Sequence, residues 1–338
     1  MKQKPKVLPS KNSTYGIQFI CDFTFNNQQK DDKQKNDKQD SHTVPVFDVS
    51  TTSALNQIIG HAKFVNSSYG NVYYRGINGL YDNVIPSAIR QNSKKTQDKN
   101  RFTRTPGLDQ LIVKMCGDIK LGNSIKVFKN NSDSNNRFNK YRAEELLQHY
   151  TGKTRMIDVV DNHWVAMWMG LQNFVMLGER NNSCICQKRM ISLGDELEAM
   201  SLKRISILDS IYEYILLIAM PYGENAESGI VETEELIEVD LRRALPSTFL
   251  RPHAQHALVI GKRDKDPKSK KNKSFFDMAS QVVAILRIRN DRASKWLGEG
   301  DLLCSENFFP SPTLDIGYRI LLNRTDLFEP NFSIVKYF

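Results

Sequence analysis

The chain of 338 residues has no disulfide framework: Cys21, Cys116, Cys184, Cys186 and Cys304 make an odd count without a framework spacing. No secretory leader precedes them, so a reducing, cytoplasmic interior is expected. Zinc is not expected, because one residue separates Cys184 from Cys186 and no second Cys/His pair follows at ligand spacing. The chain also lacks a run long enough to cross a membrane. Its most apolar stretch, IYEYILLIAM (211–220), is short, carries Glu213 and reads as a buried strand. No fixed-period repeat is visible, and no cluster of carboxylates offers to hold the metal ions of a nuclease. Acidic residues are the minority, 38 against 47 Lys and Arg, for a formal charge of +9. That balance favours anionic partners such as nucleic acid, nucleotide phosphates or an acidic protein surface.

What is present is ordinary globular material, 40% apolar and 9% aromatic. Residues 6–25 offer a short strand pair. Residues 26–42 hold no apolar side chain, and their four Lys and four Asp cancel, so a disordered loop is expected. Residues 48–65 read as a helix, with N-caps available from Ser50 to Ser53 and Ala54, Ile58, Ile59 and Ala62 on one face. A strand covers 71–75. Two polar, basic loops, 94–104 and 129–142, flank a helix over 107–120. From 143 the pattern predicts a helix to Tyr150, an extended piece over 155–160, and a helix over 161–177 capped by Asp161 or Asn162. The Trp and Met residues of that last helix read as core. Strands are expected at 212–221, 229–239 and 256–262, and helices at 193–203 and 275–287. The run at 262–273, with seven basic and two acidic residues, is either a solvated loop or a phosphate-binding one. Helices and strands mix without the alternation of a doubly wound sheet, which predicts an α+β fold: helices packed on a largely antiparallel mixed sheet. The chain divides into an N-terminal strand segment and polar loop (1–48), a main domain (49–262), and a basic loop with a C-terminal extension (263–338) packing on that domain.

Arg75 poses the functional question. It follows two tyrosines and precedes a glycine inside a strand that otherwise reads as buried, and charge is rarely buried without a partner. Three segments read together as one composite site: YYRG (73–76), EELLQHYTGKTRMID (144–158) and LRPHAQHALVI (250–260). Each sets long polar side chains at the edge of apolar elements. Asp158 either locks the core by pairing with Arg155 or Arg75, or serves a ligand. His149 either caps helix carbonyls or contacts substrate, and Thr154 is a turn residue or a site residue. His163 reads as a helix N-terminal residue, and His253 and His256 alternate around Gln255. The Glu-x-Glu of ETEEL (232–236) is either catalytic or merely exposed.

In order along the chain, Tyr74-Arg75-Gly76, Pro-Ser-Ala-Ile-Arg (86–90), Leu-Leu-Gln-His-Tyr with Thr-Arg-x-x-Asp (146–158), Val165-Ala166 and Arg-Pro-x-Ala-Gln (251–255) resemble the FRG domain family. The resemblance spans roughly residues 70 to 262. The chain departs from the family pattern at Thr151-Gly152-Lys153, at Val159-Val160 and at His256-Ala257. The resemblance implies a reduced ADP-ribosyltransferase-like site, with NAD as the nucleotide bound and a protein or nucleic acid as acceptor. It implies Arg75, His149 and Gln255 as catalytic residues. Tyr74, Arg75, Gly76, Thr154, Arg155, Asp158 and Arg251 would bind the cofactor, with Tyr73 or Tyr74 stacking on nicotinamide. Standalone members look like toxin or phage-defence components. The alternative is a non-catalytic module that senses a nucleotide or grips nucleic acid through its basic loops.

Overall fold

The computed structural model describes residues 4–10, 16–25, 41–86, 107–118, 136–151, 154–177, 183–189, 191, 211–263, 277–324, 326–328 and 334–337. The expected loop at 94–104, the helix at 193–203, and most of the loops at 26–42 and 262–273 lie outside these residues, as do 87–90 of the Pro-Ser-Ala-Ile-Arg motif. Within them the fold is α+β, as the sequence predicts. Ten strands form one sheet in the order β1 (Ile17–Phe25), β2 (His42–Val49), β12 (Val282–Arg289), β7 (Tyr212–Pro221), β3 (Gly70–Ile77), β4 (Ile157–Val160), β11 (Ala257–Lys262), β10 (Leu236–Asp240), β9 (Ile230–Glu232) and β8 (Glu224–Glu227). Every pairing is antiparallel except β2 with β12. A smaller sheet holds β5 (Gln172–Leu177), β6 (Ser183–Lys188) and β13 (Lys336–Tyr337). Each of the three segments drawn from the sequence thus contributes a strand to the large sheet. Among the described residues no helix is long and apolar enough to cross a membrane.

Nine α-helices are described: α1 (Thr52–Val65), α2 (Leu108–Cys116), α3 (Arg137–Thr151), α4 (His163–Leu171), α5 (Leu241–Ala244), α6 (Leu250–Ala254), α7 (Asn290–Leu297), α8 (Ser305–Phe308) and α9 (Ile316–Leu322). In α1, the Thr51 hydroxyl accepts from the Ala54 amide at 3.1 Å, and Ala54, Leu55, Ile58, Ile59 and Ala62 face the core. One face of the sheet carries α1 and α4 over Tyr74, Val160, Ile215 and Leu217, with α2 and α3 further along. The other face buries Tyr73, Ile157, Val159, Leu216, Ile218 and Ile260. β7 is buried on both faces, which is why its sequence is continuously apolar.

Four expectations are corrected. The strand pair at 6–25 is one strand, β1, whose partner β2 occupies 42–49, so the helix expected from 48 starts at Thr52. The loop at 129–142 is helical from Arg137. Its polar residues hid this because they find partners in the fold: buried Arg142 ion-pairs with Glu227 at 2.5 Å, and half-buried Arg137 with Glu232 at 2.8 Å. The helix over 161–177 ends at Leu171, and Gln172 takes extended backbone to begin β5. The helix at 275–287 is a 3₁₀ turn (Met278–Gln281) leading into β12. Its run VVAILRIR is doubly buried, and periodicity alone does not separate such a strand from a helix.

α4 rests directly on the β3 backbone. A Cβ added at Gly76 would sit 1.7 Å from the Ala166 carbonyl oxygen. Gly76, expected to bind a cofactor, therefore serves a close approach of helix and strand. Gly76→Ala should destabilise the protein by about 1–3 kcal/mol or more in urea titrations, as overpacking does. Gly60→Ala, in α1 with nothing within 4 Å of its Cβ, should stabilise it by about 1 kcal/mol.

Candidate functional site

β3 and β4 share a single bridge, Tyr74 opposite Val160, and beyond it the two strands part. The Asp158 carbonyl lies in that parting, and the Arg75 guanidinium supplies its donor, Nη1 to O at 2.5 Å. Arg75 belongs by strand alternation to the face of Tyr73 and Leu216. There it lines a shallow cleft with Phe25, Ile77, Leu80 and Tyr81. The partner that the sequence demanded is thus a backbone oxygen of the residue suspected as its carboxylate mate.

The Asp158 side chain points the other way, toward α3. Gln148 Nε2 donates to Asp158 Oδ2 at 2.7 Å, and Thr154 donates its hydroxyl to Gln148 Oε1. His149 Nε2 lies 3.7 Å from Asp158 Oδ1, and His149 Nδ1 lies 3.2 Å from Gln255 Oε1. The Gln255 amide nitrogen donates to the Phe308 carbonyl at 2.8 Å, so its oxygen is the atom facing His149. That assignment places the imidazole hydrogen on Nδ1 and leaves the Nε2 lone pair facing the carboxylate. Arg251 Nη1 donates to the His149 carbonyl at 2.8 Å. Arg75, His149, Thr154, Asp158, Arg251 and Gln255 form one connected network, with Gln148 as the member that sequence reasoning quoted but did not single out. Gln148 lies one turn from Glu145 on the face of α3 that meets β4, a periodicity the motif already carried.

Most of this network is sealed. The His149 side chain is 4% exposed, whereas that of Asp158 is 45% exposed and forms the opening. Burial, against the pull of Asp158, lowers the pKa of His149, so the ring is neutral. Glu145, fully buried, has no hydrogen-bond partner for either oxygen among the described residues. Burial, reinforced by Glu144 and Asp158, pushes its carboxyl well above the usual range.

Other expected residues lie elsewhere. Arg155 forks onto Glu144 at 2.9 and 2.6 Å and reaches Asp109 at 3.1 Å, tying α2 and α3 to β4. Tyr74 is buried beneath α1 and α4, edge-on to His163 and under Lys63. Tyr73 donates its hydroxyl to Glu238 at 2.6 Å on the opposite face. His256, with φ of 50°, turns to Asp161 at 3.3 Å. Glu232 of the Glu-x-Glu pair is not exposed: it is buried between Arg137 and Arg263, at 2.8 and 3.1 Å.

The protonated Glu145 has a consequence for stability. The folded chain keeps this proton where the unfolded chain, with a pKa of about 4.3, has lost it, so the group lowers stability as pH rises above that value. Glu145→Gln should raise the melting temperature by a few degrees near pH 8 and change it little near pH 4, read by thermal melts. No family model, no curated protein and no solved structure matches this chain.

Proposed function

We propose that the chain binds a nucleotide through its ribose, with NAD as the nucleotide, and transfers ADP-ribose to a protein or nucleic-acid acceptor. One observation carries the reading: His149 Nε2, buried and without a hydrogen-bond partner among the described residues, lies 3.7 Å from Oδ1 of Asp158, the exposed carboxylate of the network, so the two are acceptors side by side just behind its opening. Two adjacent acceptors require a partner with two adjacent donors, and the vicinal hydroxyls of ribose are such a pair. A phosphate does not fit there, since it would meet a carboxylate. The FRG resemblance supplies the reaction class. In that reaction the bond from ribose C1′ to nicotinamide breaks with its electron pair leaving on nicotinamide. The acceptor's nucleophilic atom then bonds to C1′ and surrenders its proton. Asp158 beside the sugar stabilises the cationic character that develops, and neutral His149 accepts the proton. Arg75 acts at one remove, holding the Asp158 backbone in place.

A second reading rests on Gln255. Both polar atoms of its amide are occupied, by His149 and by the Phe308 carbonyl, so it orients the imidazole and is closed to a ligand. The site then lacks the late acidic residue of a transferase and senses the nucleotide without turning it over.

Incubation with labelled NAD and a cell lysate separates these readings. Transfer predicts label on protein or nucleic acid and release of nicotinamide, falling at least a hundredfold in Asp158→Asn and at least tenfold in Arg75→Ala and Gln255→Ala. Binding of NAD by calorimetry without nicotinamide release selects the sensor. Absence of binding in the folded wild type and in folded variants with an opened site overturns both. Because burial keeps His149 neutral, binding should stay flat from about pH 8 to about 6.5 and weaken only below that.

A further inference from the structure

Arg251 is 1% exposed; its Nη1 donates to the His149 carbonyl, and its guanidinium also lies against the Tyr318 hydroxyl. Its Nε and Nη2 have no partner among the described residues. The nearby carboxylate does not serve them: Asp315 Oδ2 accepts from the Tyr150 hydroxyl at 2.6 Å and from the Arg251 backbone amide at 3.2 Å. What surrounds the guanidinium instead is a set of rings, Tyr150, Tyr318, Tyr337 and Phe309, with centroids 4.5, 4.7, 4.9 and 5.7 Å from its central carbon. Ring faces and the Tyr318 hydroxyl offset part of the cost of burying the cation, yet Nε and Nη2 are without a well-aligned acceptor among the described residues. Donors in that state, on a planar fork, suit an anionic oxygen pair such as a phosphate.

One wall of the cage differs from the rest. Tyr337 comes from β13, a strand of two residues that pairs with β6 through Ser183 and Cys184. Behind it the Val335 amide donates to the Tyr150 carbonyl at 2.7 Å, and the Tyr318 hydroxyl donates to the Val335 carbonyl at 3.2 Å. Tyr337 is half-buried as a residue, and its ring stacks on Phe309, with centroids 3.9 Å apart and planes within 11°. That is the geometry of a planar ring seated on an aromatic platform. Burial, against the lowering field of Arg251, pushes its phenol up to about 12, and Asp158 is near enough to add to that rise. Arg251, with Tyr337 against its guanidinium and its Nη1 on the His149 carbonyl, links this platform to the His149–Asp158 pair.

We propose that Tyr337 occupies the seat of a nucleobase: with β13 displaced, a base stacks on Phe309, its phosphate meets the Nε and Nη2 edge of Arg251, and its ribose meets His149 and Asp158. The inference rests on the nucleotide reading above and adds to it a base platform, a phosphate site and a self-blocking strand. Displacing two residues of strand and one ring costs little beside moving any other wall, each of which lies in a helix or in the loop that packs on Trp168.

The test titrates ADP and adenosine, by calorimetry, into the full chain as wild type, Tyr337→Ala, Tyr337→Phe and Val335→Pro. Val335→Pro removes the amide that fastens the strand while keeping the ring. Melting curves establish that each variant is folded, and the two release variants act independently should one fail. Tyr337→Ala and Val335→Pro should bind ADP at least tenfold more tightly than wild type, with Tyr337→Phe unchanged, and should prefer ADP to adenosine at least tenfold. Equal ADP affinity in wild type and release variants overturns the inference and leaves the nucleotide reading standing. A gain that is the same for adenosine overturns the Arg251 phosphate site. No binding by any folded variant overturns the inference together with the nucleotide reading.

Discussion

One hydrogen bond, from Arg75 to the Asp158 carbonyl, governs this site. β3 and β4 part after their one bridge, and a strand edge opened there needs donors for its backbone. Arg75 answers that need from the opposite face of the sheet, which fixes the β4 backbone and thereby aims the Asp158 carboxylate at α3. Gln148, Thr154, His149 and Gln255 then fall into sequence behind it, each satisfying the next. The arginine that looked like a ligand-gripping residue is, in its geometry, the keystone of a positioning chain.

The parting of the strands depends in turn on α4. Its backbone lies against Gly76, leaving no room for a side chain there, and Gly170 at the same crossing has Ile77 and Glu213 within 3.4 Å of a would-be Cβ. Glu213 is a second fully buried carboxyl, pushed well above its usual range by burial despite the Arg189 cation. Two protonated glutamates, one in the central strand and one in the site helix, are groups whose neutrality the fold imposes.

Much of the architecture was legible. α1 declared itself by its cap and its stripe, β7 by its unbroken apolar run, and the α+β class by irregular alternation. The misreadings share a cause, namely that tertiary partners override local pattern. Arg137 and Arg142 looked like loop residues because their carboxylate partners lie about 90 residues downstream, at Glu232 and Glu227. VVAILRIR looked helical because double burial erases the period of two. Within the site, the three motifs did converge on one network, but roles did not follow from residue type. Arg155 and Glu232 proved to be structural ion pairs, Gly76 a packing position and Gln255 an orienting amide. Tyr337 and Phe309 carried no signal, since an isolated aromatic residue has no pattern of its own until a cation is placed beneath it.

The one parallel pairing of the large sheet has a consequence for biosynthesis. β2 meets β12 at Val46 and Ile285, and Asp48 ion-pairs with Arg287 at 3.1 Å, so the edge built from β1 and β2 waits for a strand made far downstream of it. At ordinary translation rates the intervening chain takes on the order of 10–50 s to emerge, during which Val44, Val46 and Phe47 have no sheet to join. Such a long-range closure is entropically late and slow. A nascent chain of this kind is exposed to aggregation in that interval, and chaperone capture of the β1–β2 segment would be the natural safeguard for its yield.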